Sequence, residues 1–391
     1  MLVPEKGPRR RRVQFHRPPR VGHLTTVDMS LALLLATELR VDVEAGLQVF
    51  GLSAPGPYVA EIESLGVTHV PLPALTRAWD PAGDARAVRE LWSVLRHLDL
   101  DVLHTHTPKA GVLGRVLGRL AGVPVVVDTC HGLWIRGDDG WAKRAAVIGL
   151  EAVASQFAHA ELYQNGEDRR ALRWFVPSRR TRVVGNGVDL GRFLFDEAGR
   201  QRVRKELGVG PGELLVGGVG RRVAEKGVAE LAVAARALAG SARFAWVGPP
   251  EWGTGPVGDT EGLELMGERR DMAAVYSALD VFALPSYREG FSRSAMEAAA
   301  CERPMVLTDI RGCREIGRHE RELLLVPPHD PEALTDAVAR LLGDPDLRSR
   351  LAGAARRRAT EAFDQRTVAR ASLAAYAEVA ADRGLSGWPA P

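Results

Sequence analysis

The chain has 391 residues, of which 46% are hydrophobic and 26% charged, with a formal net charge of +3. This is ordinary for a globular protein, provides apolar material for two cores, and is too weakly basic to argue for nucleic acid. The cysteines Cys130, Cys301 and Cys313 are an odd and sparse set with no metal-type C-x-x-C spacing, which fits a reduced, cytoplasmic compartment best.

Residues 1–20 carry Lys6, Arg9, Arg10, Arg11, Arg12, Arg17 and Arg20 against the single acid Glu5. No apolar stretch follows to make a signal peptide, and no run in the chain reaches the length of a membrane span. Residues 1–12 read as a solvated basic arm, with contact to anionic headgroups at the inner membrane face as the sharper alternative.

Short β-branched runs then alternate with helical patterns. Strands are expected at 13–16, 41–50, 67–70, 102–104, 123–128 and 182–184, with helices at 26–40, 84–98 and 109–121. The pattern restarts with strands at 214–219, 242–247, 281–284, 305–308 and 323–326. Asp330-Pro331 and Asp344-Pro345 each read as a cap followed by proline at the first helical position. Residues 249–258 read as an irregular loop, and a last helix spans about 365–381. The fold class is α/β, with one Rossmann-like domain over 13–187, a second over 188–364, and a C-terminal segment, 365–391, packing back on the first. Open parallel sheets bind ligands at the carboxyl ends of their strands, so the residues there decide function.

Four constellations sit at such ends. In GRRVAEKG, 220–227, Arg221 and Lys226 lie between a strand and a helix, where cations are unfavourable unless an anion joins them. That points to phosphate; pairing with Glu225 or Glu230 is the structural alternative. In EGFSRSAMEA, 289–298, Glu297 is a carboxylate in an otherwise apolar helix and needs partners, either ligand hydroxyls or a buried arginine. Glu289 and Gly290 stand just before that helix. In DTCHGL, 128–133, His131 precedes Gly132. In HTHTPKAG, 104–111, His104 and His106 alternate along a strand and read as a pocket wall, so no metal site is assigned. Asp99-Leu-Asp101 and Asp344-Pro-Asp346 look like metal-binding Asp-x-Asp, but the first leads into a buried strand and the second caps a helix.

Together these motifs resemble the retaining family-4 glycosyltransferases of the GT-B fold, two Rossmann-like domains facing across an interdomain cleft. Gly220, Arg221, Lys226 and Gly227 match the family's phosphate loop, Glu289 and Glu297 its Glu-x7-Glu motif, and His131-Gly132 its His-Gly pair. Asn186-Gly-Val-Asp189 with Arg192-Phe193 matches its interdomain segment, and 284–286 and 300–304 also fit. The resemblance covers about residues 100–380. It implies that Arg221 and Lys226 bind the donor diphosphate and that Glu297 holds the ribose. Glu289 and the backbone of Gly290, Phe291 and Ser292 would contact the sugar, with His131 near the reacting carbon. The 267–270 loop, through Arg269, would lie near the base. Catalytic roles are therefore expected for His131, Glu289, Arg221 and Lys226.

Two segments depart from the pattern. The family's Gly-rich first loop reads PPRVGHLTT here, 18–26, in which Gly22 alone could approach the donor. Gly248-Pro249-Pro250 replaces a Gly-Asp-Gly. His23, Thr107 and Lys109 are expected on the acceptor side. The implied reaction moves a hexose or N-acetylhexosamine from a nucleotide sugar, a UDP-sugar by the HTHTPKAG stretch, to a glycan, lipid-linked or natural-product hydroxyl. It implies no cofactor and no metal. A nucleotide-sugar epimerase and a noncatalytic nucleotide-sugar-binding partner are the competing readings.

Overall fold

The computed structural model describes residues 13–14, 17–78, 80–135, 139–250, 257–386 and 388. The basic arm expected at 1–12 lies outside them, as do residues 251–256 of the loop expected at 249–258. In chain order the strands are β1 (Val13–Gln14), β2 (Arg20–Val27), β3 (Gln48–Ala54), β4 (Thr68–Pro71), β5 (Val102–Thr105), β6 (Val125–Cys130), β7 (Ala160–Tyr163) and β8 (Thr181–Val183). They continue with β9 (Leu215–Val219), β10 (Arg243–Val247), β11 (Glu264–Leu265), β12 (Val281–Leu284), β13 (Met305–Thr308), β14 (Leu324–Val326) and β15 (Leu385–Ser386).

The chain forms two units. Unit 1 comprises Met1–Trp134, Ala142–Val184 and Arg366–Pro391, and unit 2 comprises Ile135–Trp141 and Gly185–Gln365. Unit 1 holds a seven-stranded sheet in the order β4-β3-β2-β5-β6-β7-β8, all of its pairs parallel. Strands such as β6, with Val125, Val126 and Val127 fully buried, are apolar on both sides because helices cover both faces. Unit 2 holds a six-stranded parallel sheet in the order β11-β10-β9-β12-β13-β14. Each sheet reverses its strand order once, between β2 and β5 in unit 1 and between β9 and β12 in unit 2. Such switch points open a crevice at the strand carboxyl ends, the usual ligand position of this architecture.

Capping aspartates start several helices. Asp330 accepts from Ala333 N–H and Asp344 from Leu347 N–H, each with proline at the next position. The helix Gln365–Asp382 places Leu373 and Tyr376 in the core of unit 1, and β15 pairs with β1.

Three expectations need correction. The segment 41–50 is not one strand: Val41 and Val43 belong to the helix Ala36–Glu44, Gly46 turns the chain at φ 82°, and β3 begins at Gln48. Burial of Leu39 and Val41 in the core of unit 1 overrides the β preference of valine. The helix expected at 26–40 is two helices, Asp28–Leu34 and Ala36–Glu44. Residues 18–26 are not a loop after the first strand. They largely form β2, an inner strand of the sheet, while β1 pairs with β15.

Candidate active site

In unit 2 the turn 220–227 joins β9 to the helix Val228–Ala237, and residues 285–292 join β12 to the helix Arg293–Ala300. Both connections leave the switch point of the sheet. Gly227 has φ 71°, and a Cβ there would lie 2.1 Å from the carbonyl oxygen of Pro285, so the two connections pack backbone against backbone. The segment after β10 supports the turn from its other side. Gly220 N–H donates to Val247 C=O at 2.9 Å, Arg222 N–H donates to Pro249 C=O at 2.8 Å, and Trp246 Nε1 donates to Gly220 C=O at 2.9 Å. Gly248-Pro249-Pro250 therefore acts through its backbone as a brace for the phosphate-type turn.

The turn delivers Lys226, whose Nζ lies 2.5 Å from Glu289 Oε1. Glu225 receives Arg288 at 3.2 Å and Glu230 accepts from the Tyr287 hydroxyl. One turn into the next helix, Glu297 accepts from Tyr276 Oη at 2.8 Å and from Arg293 Nε at 3.2 Å. Burial raises its pKa, against the pull of Arg293. A carboxylate has about four lone-pair sites, so these two bonds leave acceptor capacity for hydroxyls of a ligand.

In unit 1 the strand ends gather histidines. His23 comes from β2, His104 and His106 from β5 and its end, and His131 from the end of β6. His23 Nε2 lies 2.9 Å from Asp42 Oδ2, His23 Nδ1 lies 3.2 Å from His106 Nε2, and His106 Nδ1 lies 3.0 Å from His131 Nε2. Gln164 Nε2 donates to His131 Nδ1 at 2.8 Å. Burial, with the neighbouring imidazoles, holds His106 well below the usual histidine range, and burial brings His131 down to about 4. His131 and Gly132 border a pocket with Thr107, Cys130 and Trp134.

Relatives of the chain carry the same two-part layout. Residues 213–344 match the family described as Glycosyl transferases group 1, and residues 7–187 match the Glycosyl transferase 4-like domain. A D-inositol 3-phosphate glycosyltransferase of Salinispora arenicola is 31% identical over 84% of this chain and 80% of its own length. The chain belongs to the family-4 glycosyltransferases. The UDP-Gal:alpha-D-GlcNAc-diphosphoundecaprenol alpha-1,3-galactosyltransferase of Escherichia coli is 28% identical over 70% of this chain and 74% of its own length. Among solved structures, Anabaena Alr3699/HepE in complex with UDP and glucose superposes with a TM-score of 0.76 at 18% identity, over 92% of this chain and all of that one. The fold is GT-B, with two Rossmann-like units, and the protein is a glycosyltransferase using a nucleotide-sugar donor.

Several expected residues of this glycosyltransferase stand where the sequence did not put them. Gly22 lies inside β2, where a Cβ would meet Leu100 Cδ1 at 2.6 Å; its smallness serves core packing, not approach to a phosphate. His23 is fully buried between Asp42 and His106 and so does not face an acceptor. Lys109 is also buried, paired with Asp84 and donating to Ala78 C=O at 2.5 Å. Thr107 does border the pocket, at φ 52°, with its hydroxyl buried and lacking a hydrogen-bond partner among the described residues. Arg269 is clamped between Glu206 and Asp271, so its guanidinium is committed to carboxylates rather than to a base. The Phe291 ring packs edge-on against Phe363 and the Ser292 hydroxyl caps a helix, which leaves donor contact from 290–292 to the backbone.

The Asp-x-Asp pairs serve structure. Asp101 accepts from Arg17 at 2.6 Å and from Arg20 N–H at 2.7 Å, while Asp344 caps its helix. Nitrogens of His23, His104 and His106 lie within 4.8 Å of one another, the one metal-like cluster among the described residues. However, His104 uses both nitrogens on Tyr376 Oη and Thr129 Oγ1, at 2.5 and 2.7 Å, so the three lone pairs do not converge. Residue-type reasoning missed Asp42, Gln164 and the buried Arg115, which gathers Glu151, Glu161 and Asp128 beside the pocket. The signal for Asp42 was an acid inside an apolar run, flanked by Val41 and Val43.

Proposed function

We propose that the protein transfers a hexose or N-acetylhexosamine from a UDP-sugar to an acceptor hydroxyl with retention of configuration and without a divalent metal. The observation that carries this reading is the joint placement of Arg221, Lys226 and Glu289 on the two connections at the unit 2 switch point, with Glu297 one turn into the helix that follows the second. Bond breaking puts negative charge on the departing diphosphate, and preorganised cations stabilise that charge in the transition state. Arg221 and Lys226 take this part, which a divalent ion fills in other transferases. Glu297 receives ribose hydroxyls, and Glu289, released from Lys226 when phosphate binds, accepts from a sugar hydroxyl. UDP is favoured because the Escherichia coli relative is named for UDP-Gal and the Anabaena protein holds UDP.

No nucleophile for a double displacement stands out among the residues placed at the site, so the acceptor attacks the face the leaving phosphate vacates. The acceptor class follows the relatives' names: a diphosphoundecaprenol-linked sugar or a phosphorylated cyclitol. Contact of the basic arm, residues 1–12, with anionic headgroups at the inner face of a membrane would suit the first. No helix among the described residues is long and apolar enough to cross a membrane.

The test is a donor screen by nucleotide release, using UDP-glucose, UDP-galactose, UDP-N-acetylglucosamine and GDP-mannose with lipid-linked and soluble acceptors. NMR of the product then reads the anomer. Release from UDP-sugars with a retained anomer is expected. Release from GDP-mannose alone, or an inverted anomer, contradicts the reading.

A further inference from the structure

The chain Asp42, His23, His106, His131, Gln164 is continuous, with successive contacts of 2.9, 3.2, 3.0 and 2.8 Å. Asp42, His23 and His106 are fully buried and Gln164 nearly so. A neutral imidazole has one donor and one acceptor nitrogen, so fixing one end of such a chain fixes every link. The Gln164 amide donates to His131 Nδ1, which must then be the acceptor nitrogen. His131 Nε2–H donates to His106 Nδ1, His106 Nε2–H donates to His23 Nδ1, and His23 Nε2–H donates to the Asp42 carboxylate. Every contact then has one donor and one acceptor, and the chain ends on the group best suited to accept.

The opposite polarity needs one more proton. An N–H at His23 Nδ1 would force His106 and His131 to carry theirs on Nδ1 as well. The His131 Nδ1–H would then face the Gln164 N–H until that amide turned over. Asp42 and Gln164 are thus two ends of one device, and the ring between them and the pocket is His131. In this arrangement both nitrogens of His131 are used within the protein, so its imidazole has no lone pair left for a substrate proton.

We propose that Asp42, His23, His106 and Gln164 are positioning residues that hold His131 neutral, with its proton on Nε2, and thereby fix the strand-end turn that meets the transferred sugar. This rests on the reading of His131 as a donor-side residue only for its effect on rate; the tautomer assignment stands on the hydrogen bonds. Buried polar chains of this kind impose one geometry when every member is satisfied. His131 acts by shape and backbone, and is not the base of the reaction.

The experiment is long-range 1H–15N NMR of the full chain labelled at histidine, with Gln164→Glu as the variant. Against burial, Asp42 and Glu38 raise the pKa of His23, so at a pH above its titration wild-type His23, His106 and His131 are all expected as neutral Nε2–H tautomers. A carboxylate at 164 only accepts, so it demands Nδ1–H from His131 and, with one proton taken up from solvent at the His23–Asp42 contact, reverses all three rings, His23 included. That reversal is expected to lower kcat on the order of 10- to 100-fold, the scale of a misplaced site group, while the donor KM moves less than threefold. Wild-type His131 protonated on Nδ1 overturns the assignment even if the variant fails to fold. A variant in which His131 changes but His23 does not overturns the coupling. Full reversal with kcat within twofold of wild type overturns the positioning role. If no donor is turned over by the wild-type protein, the proposed function fails while the tautomers still decide the chain.

Discussion

Lys226 and Glu289, 63 residues apart, form an ion pair of 2.5 Å between the two connections at the unit 2 switch point. The pair is largely shielded, with side-chain exposures of 16% and 11%. A diphosphate entering this site competes with Glu289 for the ammonium, and Glu289 becomes available to a sugar hydroxyl.

Lys226→Ala should therefore lose turnover with the fold retained. Removing one preorganised donor of charge stabilisation costs on the order of 100- to 1000-fold in kcat. Circular dichroism should be unchanged, and the thermal midpoint should move only slightly, since the pair is one of many contacts. Near wild-type turnover would remove the phosphate role.

Glu297→Gln tests the ribose role. The amide keeps one acceptor oxygen but turns an N–H2 toward either Tyr276 or Arg293. Donor affinity should fall about tenfold, close to 1.4 kcal/mol, with acceptor affinity unchanged. Titration calorimetry with UDP reads the first, and the acceptor KM at saturating donor reads the second.

Gly227→Ala should destabilise unit 2 and displace the turn. The alanine would have to adopt φ 71° and place its methyl 2.1 Å from Pro285 C=O. The left-handed conformation costs about 1–2 kcal/mol and the overpacking about 1–3 kcal/mol more. Urea denaturation should show the loss in stability, and donor binding should weaken with it.

The histidine chain predicts a pH dependence of stability. His131 has its folded pKa lowered to about 4 by burial, against about 6.5 in an unfolded chain. Above pH 6.5 neither state binds the proton, and the stabilisation is complete. As pH falls toward 4 the unfolded chain takes up a proton that the folded protein refuses, and stability declines, by about 1.4 kcal/mol at pH 5.5. Urea midpoints at pH 7.5 and 5.5 should differ less in His131→Gln than in the wild-type protein.

If Arg221 and Lys226 carry the leaving-group charge, turnover should persist in excess EDTA and gain less than twofold from added magnesium. A rate that collapses in EDTA and returns with the metal would assign that role to an ion instead.

What the sequence made legible was the periodic and the chemically marked. Five strands of unit 2 lie within a residue of their expected positions because apolar runs ended at glycine or proline, as at β9, β10 and β12, whereas the two-residue β11 was not expected. The motif residues Arg221, Lys226, Glu289 and Glu297 could be located because cations or carboxylates stood out against an apolar or glycine-rich setting. Partner choice was not legible, since it depends on contacts far apart in sequence. Arg269 looked like a ligand residue until Glu206 was seen to hold it, and Lys109 until Asp84 was. Gly22 carried the expected residue type for a loop, but the sheet used it to admit Leu100. Asp42 was hidden because its neighbours Val41 and Val43 prefer strands, and tertiary burial made them helical.

The pairing of β1 with β15, and of His104 with Tyr376, has a consequence for synthesis. Translation leaves unit 1 at Val184 and returns to it only at Arg366. During that interval a ribosome makes all of unit 2 except Ile135–Trp141 while the earlier half waits without its last helix. The nascent chain must therefore shelter an unfinished apolar surface around Leu39 and Val125 until the closing segment emerges, and any stall before Tyr376 exposes it to chaperones and proteases.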